Sequence, residues 1–174
     1  MDVSLKIVPA GLADQELITR IIERSIRGGC ARDHRNDQHQ VRQWADRIIR
    51  QACLLLAEGI GQWRLAQWQG KPVGIAMATD HASIELCYVL PHCLRRGVGR
   101  GLMSALESHL FSHGASHAQL SSTQTARPFY QEMGYVGTGH STPAPGFTLT
   151  YMEKCLCLAP TAAVEWLTPD SCVG

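Results

Sequence analysis

The alternation of hydrophobic and polar positions divides the 174-residue chain into strand-like and helix-like segments. Apolar and polar residues alternate from Val3 to Val8, which predicts a strand that stops at Pro9. Apolar residues recur at helical spacing from Leu12 to Ile26, and Gly28 is expected to end this helix. A second helix is predicted after the polar stretch 30–37, and its apolar face comprises Val41, Trp44, Ala45, Ile48 and Ile49.

Beyond Gly59 the pattern takes the period of β-strands. Two strands at 63–68 and 73–79 flank the turn sequence Gln-Gly-Lys-Pro, which predicts an antiparallel hairpin. The elements expected after this hairpin are strands at 83–90, 118–122, 135–136 and 147–155, and helices at 97–113 and 126–133. The resulting order, β-α-α-β-β-β-α-β-α-β-β, predicts an α/β (α+β) sheet with helices on both faces.

Composition sets the expected number of domains and excludes several classes of function. An apolar fraction of 45% and a charged fraction of 18% are typical of a soluble globular protein. We expect one domain at 1–157 and a C-terminal extension at 158–174 that is either ordered or frayed. The formal net charge of +1 provides no overall field to attract nucleic acid or an acidic membrane. No apolar run approaches the roughly 20 residues that span a bilayer, and no secretory signal pattern is present, so the sequence predicts a cytoplasmic protein.

The positions of cysteine and histidine do not predict a metal site. The seven cysteines are irregularly spaced, and Cys155 and Cys157 form a C-x-C pair without the second pair that a structural zinc site needs. His109, His113 and His117 recur every four residues, but a glycine interrupts the helix before the third. We interpret the cysteines as buried reduced thiols and these histidines as surface residues.

The segment from Leu94 to Gly101, called here the glycine turn, carries the strongest chemical signal. It follows a strand and begins a helix, so converging backbone N–H groups and the positive end of the helix dipole favour an anion. Its glycines leave room for close approach and its arginines add charge; these residues are Gly97, Gly99, Gly101, Arg95, Arg96 and Arg100. The combination suits a pyrophosphate.

Two familiar nucleotide motifs do not fit this turn. A P-loop needs Lys-Ser or Lys-Thr after its glycines, and neither follows here. A dinucleotide fingerprint needs a glycine at the position of Leu102 or Ser104. A nucleotide-phosphate domain of either kind is therefore disfavoured.

Two stretches resemble motifs of the GNAT N-acetyltransferase superfamily. Residues 85–91 followed by 94–103 resemble its acyl-CoA-binding motif, and Ala126–Tyr135 resembles its A-x-x-F-Y-x-x-x-G-F helix. The resemblance covers roughly residues 3–155 and implies a mixed, mostly antiparallel sheet. Leu94 stands where the family pattern has Gln or Arg, and a neighbouring arginine could supply the missing charge.

The resemblance implies that acetyl-CoA is a co-substrate whose acetyl group passes to a primary amine of a small molecule or a protein, by direct attack in a ternary complex. Tyr130 matches the tyrosine often assigned as general acid. Glu85 is the expected base, directly or through water, although a solvated carboxylate is the alternative interpretation. A common position for that glutamate falls on Ser83, and His81 is a reserve base. The implied cofactor-binding residues are Cys87, Tyr88, Val89 (whose N–H is the expected oxyanion donor), Leu94, Arg95, Arg96, Gly97, Val98, Gly99, Arg100, Gly101, Thr123 and Phe129.

The resemblance also places an acceptor pocket between the first two helices and the last strands. The expected substrate-binding residues are His34, Trp44 and His140, although the loop at 30–37 could equally be solvated. A homodimer is left open, and no nucleic acid or membrane partner is expected. The alternative function is a non-catalytic acyl-CoA-binding module with the same fold.

Overall fold

The computed structural model describes residues 5–30, 33, 35, 37–144 and 146–156. The predicted extension from residue 158 and the predicted ligand His34 lie outside the described residues. None of the helices in these ranges is long and apolar enough to cross a membrane. The elements are β1 (Leu5–Pro9), α1 (Gln15–Gly29), α2 (Gln38–Ala57), β2 (Gln62–Trp68), β3 (Lys71–Ala78), β4 (Ser83–Val89), α3 (Val98–Ser112), β5 (His117–Ser122), α4 (Arg127–Glu132), β6 (Val136–Ala144) and β7 (Phe147–Cys155), with short 3-10 helices at Leu12–Asp14 and Pro91–Cys93.

The predicted order of strands and helices is confirmed, and the main difference lies in β6. The sequence pattern predicts a strand of two residues at 135–136, whereas β6 continues to Ala144. It is the outermost strand of the sheet, and its register shifts between Gly137 and Ser141. Glycines and a proline hide the β period in this stretch, but an edge strand tolerates both because only one of its sides must form hydrogen bonds.

The seven strands form one sheet in the order β1-β2-β3-β4-β5-β7-β6. Neighbouring strands are antiparallel except β4 and β5, which are parallel. This parallel ladder contains only two residue pairs, Ser83 with Gln119 and Ile84 with Leu120. Beyond these pairs, residues 85–89 have no strand partner on that side. We call this separation of the strands the β4–β5 opening.

Helices cover both faces of the first four strands. The side chain of Val89 lies against the start of α3, 3.8 Å from a Cβ built at Gly99. Its neighbour Tyr88 must point to the opposite face because side chains alternate along a strand, and there its phenol is hydrogen-bonded to Trp44 of α2. The β4–β5 opening therefore lies between a helix pair on one side and α3 on the other.

A partly buried network joins α3 to the second half of the sheet. The Tyr135 hydroxyl donates to Glu107 Oε1 at 3.0 Å, and Lys154 Nζ donates to Glu107 Oε2 at 2.6 Å. The side chains of Glu107 and Lys154 are 12% and 23% exposed. An ion pair this well shielded is screened less than a surface pair, so it helps to hold β7 and the end of α4 against α3.

Shortening Leu102 should destabilise the fold. Leu102 is 0% exposed on α3, so Leu102→Ala is expected to lower the free energy of unfolding by about 2–5 kcal/mol through lost burial and a residual cavity. Urea denaturation measures this change. Ser104→Ala, at an exposed position of the same helix, should change the midpoint little, and an equal loss in both variants would contradict the assignment of α3 to the core.

Candidate active site

Two backbone amides of β4 face the β4–β5 opening. The Leu90 N–H donates to the Val73 carbonyl oxygen at 2.8 Å, and Val89 is paired in register with Gly74. In an antiparallel pair the backbone groups of successive residues point to alternate sides. The N–H groups of Val89 and Cys87 therefore point away from β3 and into the opening, where an oxygen of a ligand could accept from them.

The glycine turn ends beside this opening and begins α3. Gly97 takes a left-handed conformation with φ of 80°, and Arg95 does so with φ of 60°. The Gly101 N–H donates to the Gly97 carbonyl at 2.9 Å, which is the first hydrogen bond of the helix. No side chain caps this end, so the amides of the first turn are available to an anion.

The charge of the turn is exposed to solvent. Arg95, Arg96 and Arg100 are all exposed, and none forms a salt bridge within the described ranges. Leu94, at the position that departs from the family pattern, is 47% exposed. Three solvated guanidinium groups around a helix N-terminus can pair with phosphate oxygens.

Each glycine of the turn has a different structural reason. A Cβ at Gly97 would meet open space, so its backbone angle rather than crowding favours glycine there. A Cβ at Gly99 would lie 3.2 Å from Phe129 Cζ. A Cβ at Gly101 would lie 3.0 Å from Leu5 Cδ2 of β1. The amide of Gly101 donates within the helix, and packing against β1 favours a glycine at this position. Its predicted contact with the cofactor stays a prediction.

The end of α1 lies directly against the start of the same turn. A Cβ at Gly28 would lie 2.5 Å from Pro91 Cγ, closer than two carbon atoms can approach. A Cβ at Gly29 would lie 4.0 Å from Leu94 Cδ1, an ordinary contact. The absence of a side chain at Gly28 therefore lets the helix and the turn touch.

Tyr130 of α4 is placed at the opening. It is 8% exposed, and its phenol is hydrogen-bonded to the thiol of Cys87. Its ring lies 5.1 Å from that of Phe129 and 5.9 Å from that of Tyr135, measured between centroids. Burial, followed by the nearby Cys87, raises the pKa of Tyr130 well above 10, so the phenol keeps its proton at neutral pH.

A second aromatic group borders the opening on the side of α2. The Trp44 indole is hydrogen-bonded to the Tyr88 phenol and its ring lies 4.6 Å from that of Phe147. Burial is the main cause of the raised pKa of Tyr88, and Cys30 contributes. The structure thus brings the predicted residues Trp44 and Tyr88 together and adds Phe147 from β7.

Two thiols lie within this set of residues. Burial raises the pKa of Cys87 to about 12, and burial together with the charge of Asp33 raises the pKa of Cys30 to about 12. Cys30 lies near enough to Tyr130 to contribute to its raised pKa. Both thiols therefore stay neutral at neutral pH, and the carboxylate of Asp33 is close enough to contribute to the raised pKa of Cys30.

Other predicted residues occupy different places. Glu85 is exposed on β4 and is the extra residue of a β-bulge, because Leu86 pairs with Met77 while Ile84 pairs with Ala78. Thr123 accepts the Ala126 N–H at 3.2 Å through its hydroxyl oxygen. His140 borders a shallow cavity with Gln119, Thr138, Tyr151 and Glu153 instead of joining Trp44.

Sequence reasoning missed Asp33, Cys30 and Phe147. Cys30 and Asp33 follow α1 in a polar stretch where no motif distinguishes one residue from another. Phe147 begins a strand and has the pattern of any core aromatic residue. The Asp33 carboxylate is held by Thr125 in the turn before α4, and Phe147 of β7 contacts Trp44 of α2. No local signal in the sequence carries these long-range contacts.

A cavity of about 710 Å³ lies at the other end of α3, away from the glycine turn. His81, the reserve base, borders it together with His109, His113 and His117. The rings of His109 and His113 are 4.0 Å apart. No cluster of three potential metal ligands occurs within the described ranges. This cavity and the β4–β5 opening therefore lie at opposite ends of α3.

Comparison with known proteins identifies relatives of the whole domain. The model of the GNAT acetyltransferase domain matches residues 30–156. A GCN5-related N-acetyltransferase structure from Rhodopseudomonas palustris is 27% identical with a TM-score of 0.77, and covers 89% of this chain and 98% of its own. We found no match among curated proteins.

Two more distant structures share the fold. The PaiA N-acetyltransferase of Thermoplasma acidophilum, solved in complex with coenzyme A, is 15% identical with a TM-score of 0.71 over 87% of this chain and 99% of its own. The structure of yncA from Salmonella typhimurium, with its cofactor acetyl-CoA, is 20% identical with a TM-score of 0.61 over 92% of this chain and 99% of its own.

The raised pKa of the two thiols should make them slow to alkylate. With a pKa of about 12, only about one thiol in 10⁵ is ionised at neutral pH, and the thiolate is the reactive form. Iodoacetamide followed by peptide mass spectrometry should therefore modify the exposed Cys155 long before Cys30 or Cys87. In urea all three should react at similar rates, and fast labelling of Cys87 in the folded protein would contradict the prediction.

Proposed function

This chain belongs to the GNAT acetyltransferase family, and from this premise we propose that its single domain transfers an acetyl group from acetyl-CoA to a primary amine. The observation that carries the proposal is the meeting of three features at the β4–β5 opening. These are the unpaired amides of Cys87 and Val89, the glycine turn, and the buried phenol of Tyr130. The amides suit the oxyanion and the phenol suits protonation of the leaving thiolate, two needs of amine acetylation by a thioester, whereas the glycine turn suits the phosphates of the co-substrate.

The glycine turn is the proposed site for the pyrophosphate of acetyl-CoA. The first-turn amides of α3 and the arginines around them supply donors and charge, so the loss of one polar side chain at Leu94 is compensated. The structures named above with coenzyme A and acetyl-CoA share this fold and support the choice of co-substrate. The thioester would then extend from the turn along β4.

The β4 amides are the proposed contacts for the pantetheine arm and the reacting carbonyl. The Val89 N–H would donate to the carbonyl oxygen as it gains negative charge, and a fixed amide dipole stabilises that charge without reorganisation. Cys87 offers a second amide on the same edge. Phe129, which packs against Gly99, would cover the arm from the side of α4.

Tyr130 is the proposed general acid. The amine nitrogen bonds to the carbonyl carbon, the carbon–sulfur bond breaks, and the sulfur of CoA takes the phenolic proton. Burial keeps the phenol protonated at neutral pH, so its proton is present when the sulfur leaves. Cys30 and Cys87 are held as neutral thiols by the same burial, which favours direct attack by the amine over an acyl-enzyme route.

Glu85 is the proposed base that takes the proton of the amine. Glu85 is the extra residue of the β-bulge in β4, the strand that lines the opening, and its carboxylate is exposed. Because the side chain is solvated, a water molecule could carry the proton between amine and carboxylate. Ser83, two residues earlier, lies within the ladder with β5 and not at the opening.

Trp44 is the proposed acceptor-binding residue, together with Tyr88 and Phe147. Flat aromatic faces favour the aliphatic part of an amine and a neighbouring positive charge. His34 and His140 stay predictions as further contacts. A homodimer and a cytoplasmic location also stay predictions from the sequence, and the acceptor is either a small amine or a protein amine.

Acetyl-CoA should stabilise the protein, and the arginines of the turn should be needed for the effect. At 100 times its dissociation constant a ligand adds about 2.7 kcal/mol, so thermal unfolding should shift upward with acetyl-CoA and not with ATP or NAD. Replacing Arg95, Arg96 and Arg100 by alanine should weaken binding by roughly tenfold or more. The matched control replaces three exposed arginines of α2, Arg42, Arg47 and Arg50. No shift with any CoA ester would overturn the proposal.

Tyr130→Phe should slow acetyl transfer while leaving cofactor binding intact. Removing the acid is expected to lower kcat by about 100-fold, measured as CoA thiol released with the best acceptor of an amine panel. The thermal shift with acetyl-CoA should stay close to that of the native protein. Tyr151→Phe, at an exposed position of β7, is the control. Normal turnover in Tyr130→Phe would remove this residue from the acid role, and no turnover with any amine would favour a non-catalytic acyl-CoA-binding module.

A further inference from the structure

Asp33 is a buried acidic residue between α1 and α2. It is 7% exposed, and the only other polar residues buried as deeply in the described ranges are Ser25 and Ser122. No lysine, arginine or histidine forms a salt bridge with it there. A buried carboxylate needs hydrogen-bond partners to offset its lost hydration, so the partners of Asp33 show what it holds.

The carboxylate holds a turn that is distant in sequence. Asp33 Oδ1 accepts the N–H of Thr125 at 3.0 Å, across 92 residues of chain. The turn at Thr123–Ala126 leads directly into α4, since the Thr123 carbonyl accepts the Arg127 N–H at 3.1 Å. Asp33 is therefore attached to the start of the helix that carries Tyr130.

The helix needs such an attachment because it is short. α4 has six residues, Arg127–Glu132. Its N-cap residue is Ala126, and no side chain caps this end of the helix. A helix of this length has little stability of its own. Its position depends on contacts at its ends, and at the N-terminal end one of these contacts is the Thr125 amide with Asp33.

Asp33 is also attached to the end of α1. Its N–H donates to the Cys30 carbonyl at 2.9 Å, which ties it to the end of α1. Cys30 lies at the cluster that contains Tyr88 and Tyr130. One residue thus joins the loop expected to border the acceptor with the helix that carries the acid.

We propose that Asp33 is a positioning residue for Tyr130: through the Thr125 amide it holds the start of α4 so that the phenol stays at the β4–β5 opening. The proposal rests on the function proposed above. Among the described residues, Oδ1 has a hydrogen-bond partner and Oδ2 has none. An asparagine could keep the oxygen that contacts Thr125, so the hydrogen bond and the charge can be tested separately.

The kinetic test compares Asp33→Ala with Asp33→Asn. Asp33→Ala should lower kcat by roughly 10- to 100-fold, since small displacements of a catalytic group have effects of this size, while KM for acetyl-CoA changes less than about twofold. Asp33→Asn should stay within about threefold of the native kcat. Asp46→Ala, at an exposed position of α2, is the control. Asp33→Ser serves the same comparison if Asp33→Ala does not fold.

A double-variant cycle separates positioning from a general loss of structure. In a Tyr130→Phe background, Asp33→Ala should lower kcat by less than about twofold further, because the group being positioned is already absent. Native kcat in Asp33→Ala, or fully multiplicative losses in the cycle, would overturn the proposal. Equal losses in Asp33→Ala and Asp33→Asn with a raised KM for the amine would also overturn it and would indicate that the charge binds the acceptor.

Hydrogen exchange tests the attachment without any turnover. The Thr125 amide, followed by NMR in the intact protein, should exchange at least about tenfold faster in Asp33→Ala and at the native rate in Asp33→Asn. The Tyr130 amide, which donates to the Ala126 carbonyl, should follow the same trend. Unchanged exchange in Asp33→Ala would overturn the proposal even if the enzyme is active. Faster exchange in Asp33→Ala, combined with no turnover of any amine by the native protein, would support the attachment and count against the proposed function.

Discussion

The site depends on the short ladder between β4 and β5. Seven strands are joined along most of their length, but these two parallel strands pair at only two positions and then diverge. The backbone amides inside a sheet are normally all hydrogen-bonded. Where β4 and β5 diverge, the backbone groups of β4 lack the partners that a continuous sheet would provide. The glycine turn follows β4 and α4 follows β5. The chain therefore brings the proposed anion site and a buried phenol to opposite sides of one gap.

Burial divides the electrostatics of this gap into two zones. At the turn, exposed arginines and helix amides provide positive charge in contact with water. A few residues away, two thiols and two phenols are kept neutral because burial raises their pKa values. In the proposed function, a charged ligand would be held at its solvated end, and its reacting end would meet proton donors in surroundings of low polarity. Among the described residues, the charged group in this second zone is the buried carboxylate of Asp33.

Periodicity and motifs could predict most of the fold, because each element buries one face and the glycine turn has a local signature. The pairing of Tyr130 with the β4 edge followed from two motifs in sequence. The length of β6 could not be predicted, since Gly139 and Pro143 mask its period and only edge pairing with β7 supports it. The Asp33–Thr125 hydrogen bond and the contact between the tilted rings of Trp44 and Phe147 join segments about a hundred residues apart. Such contacts arise from packing and leave no pattern in the neighbouring sequence.

The contact of Gly28 with Pro91 couples the end of α1 to the start of the glycine turn. With no side chain between them, the two segments pack directly on each other. A residue with a Cβ at this position would have to push Pro91 away, and the turn would shift relative to β4. Position 28, which lies outside both sequence motifs, therefore constrains the geometry of the glycine turn from outside it.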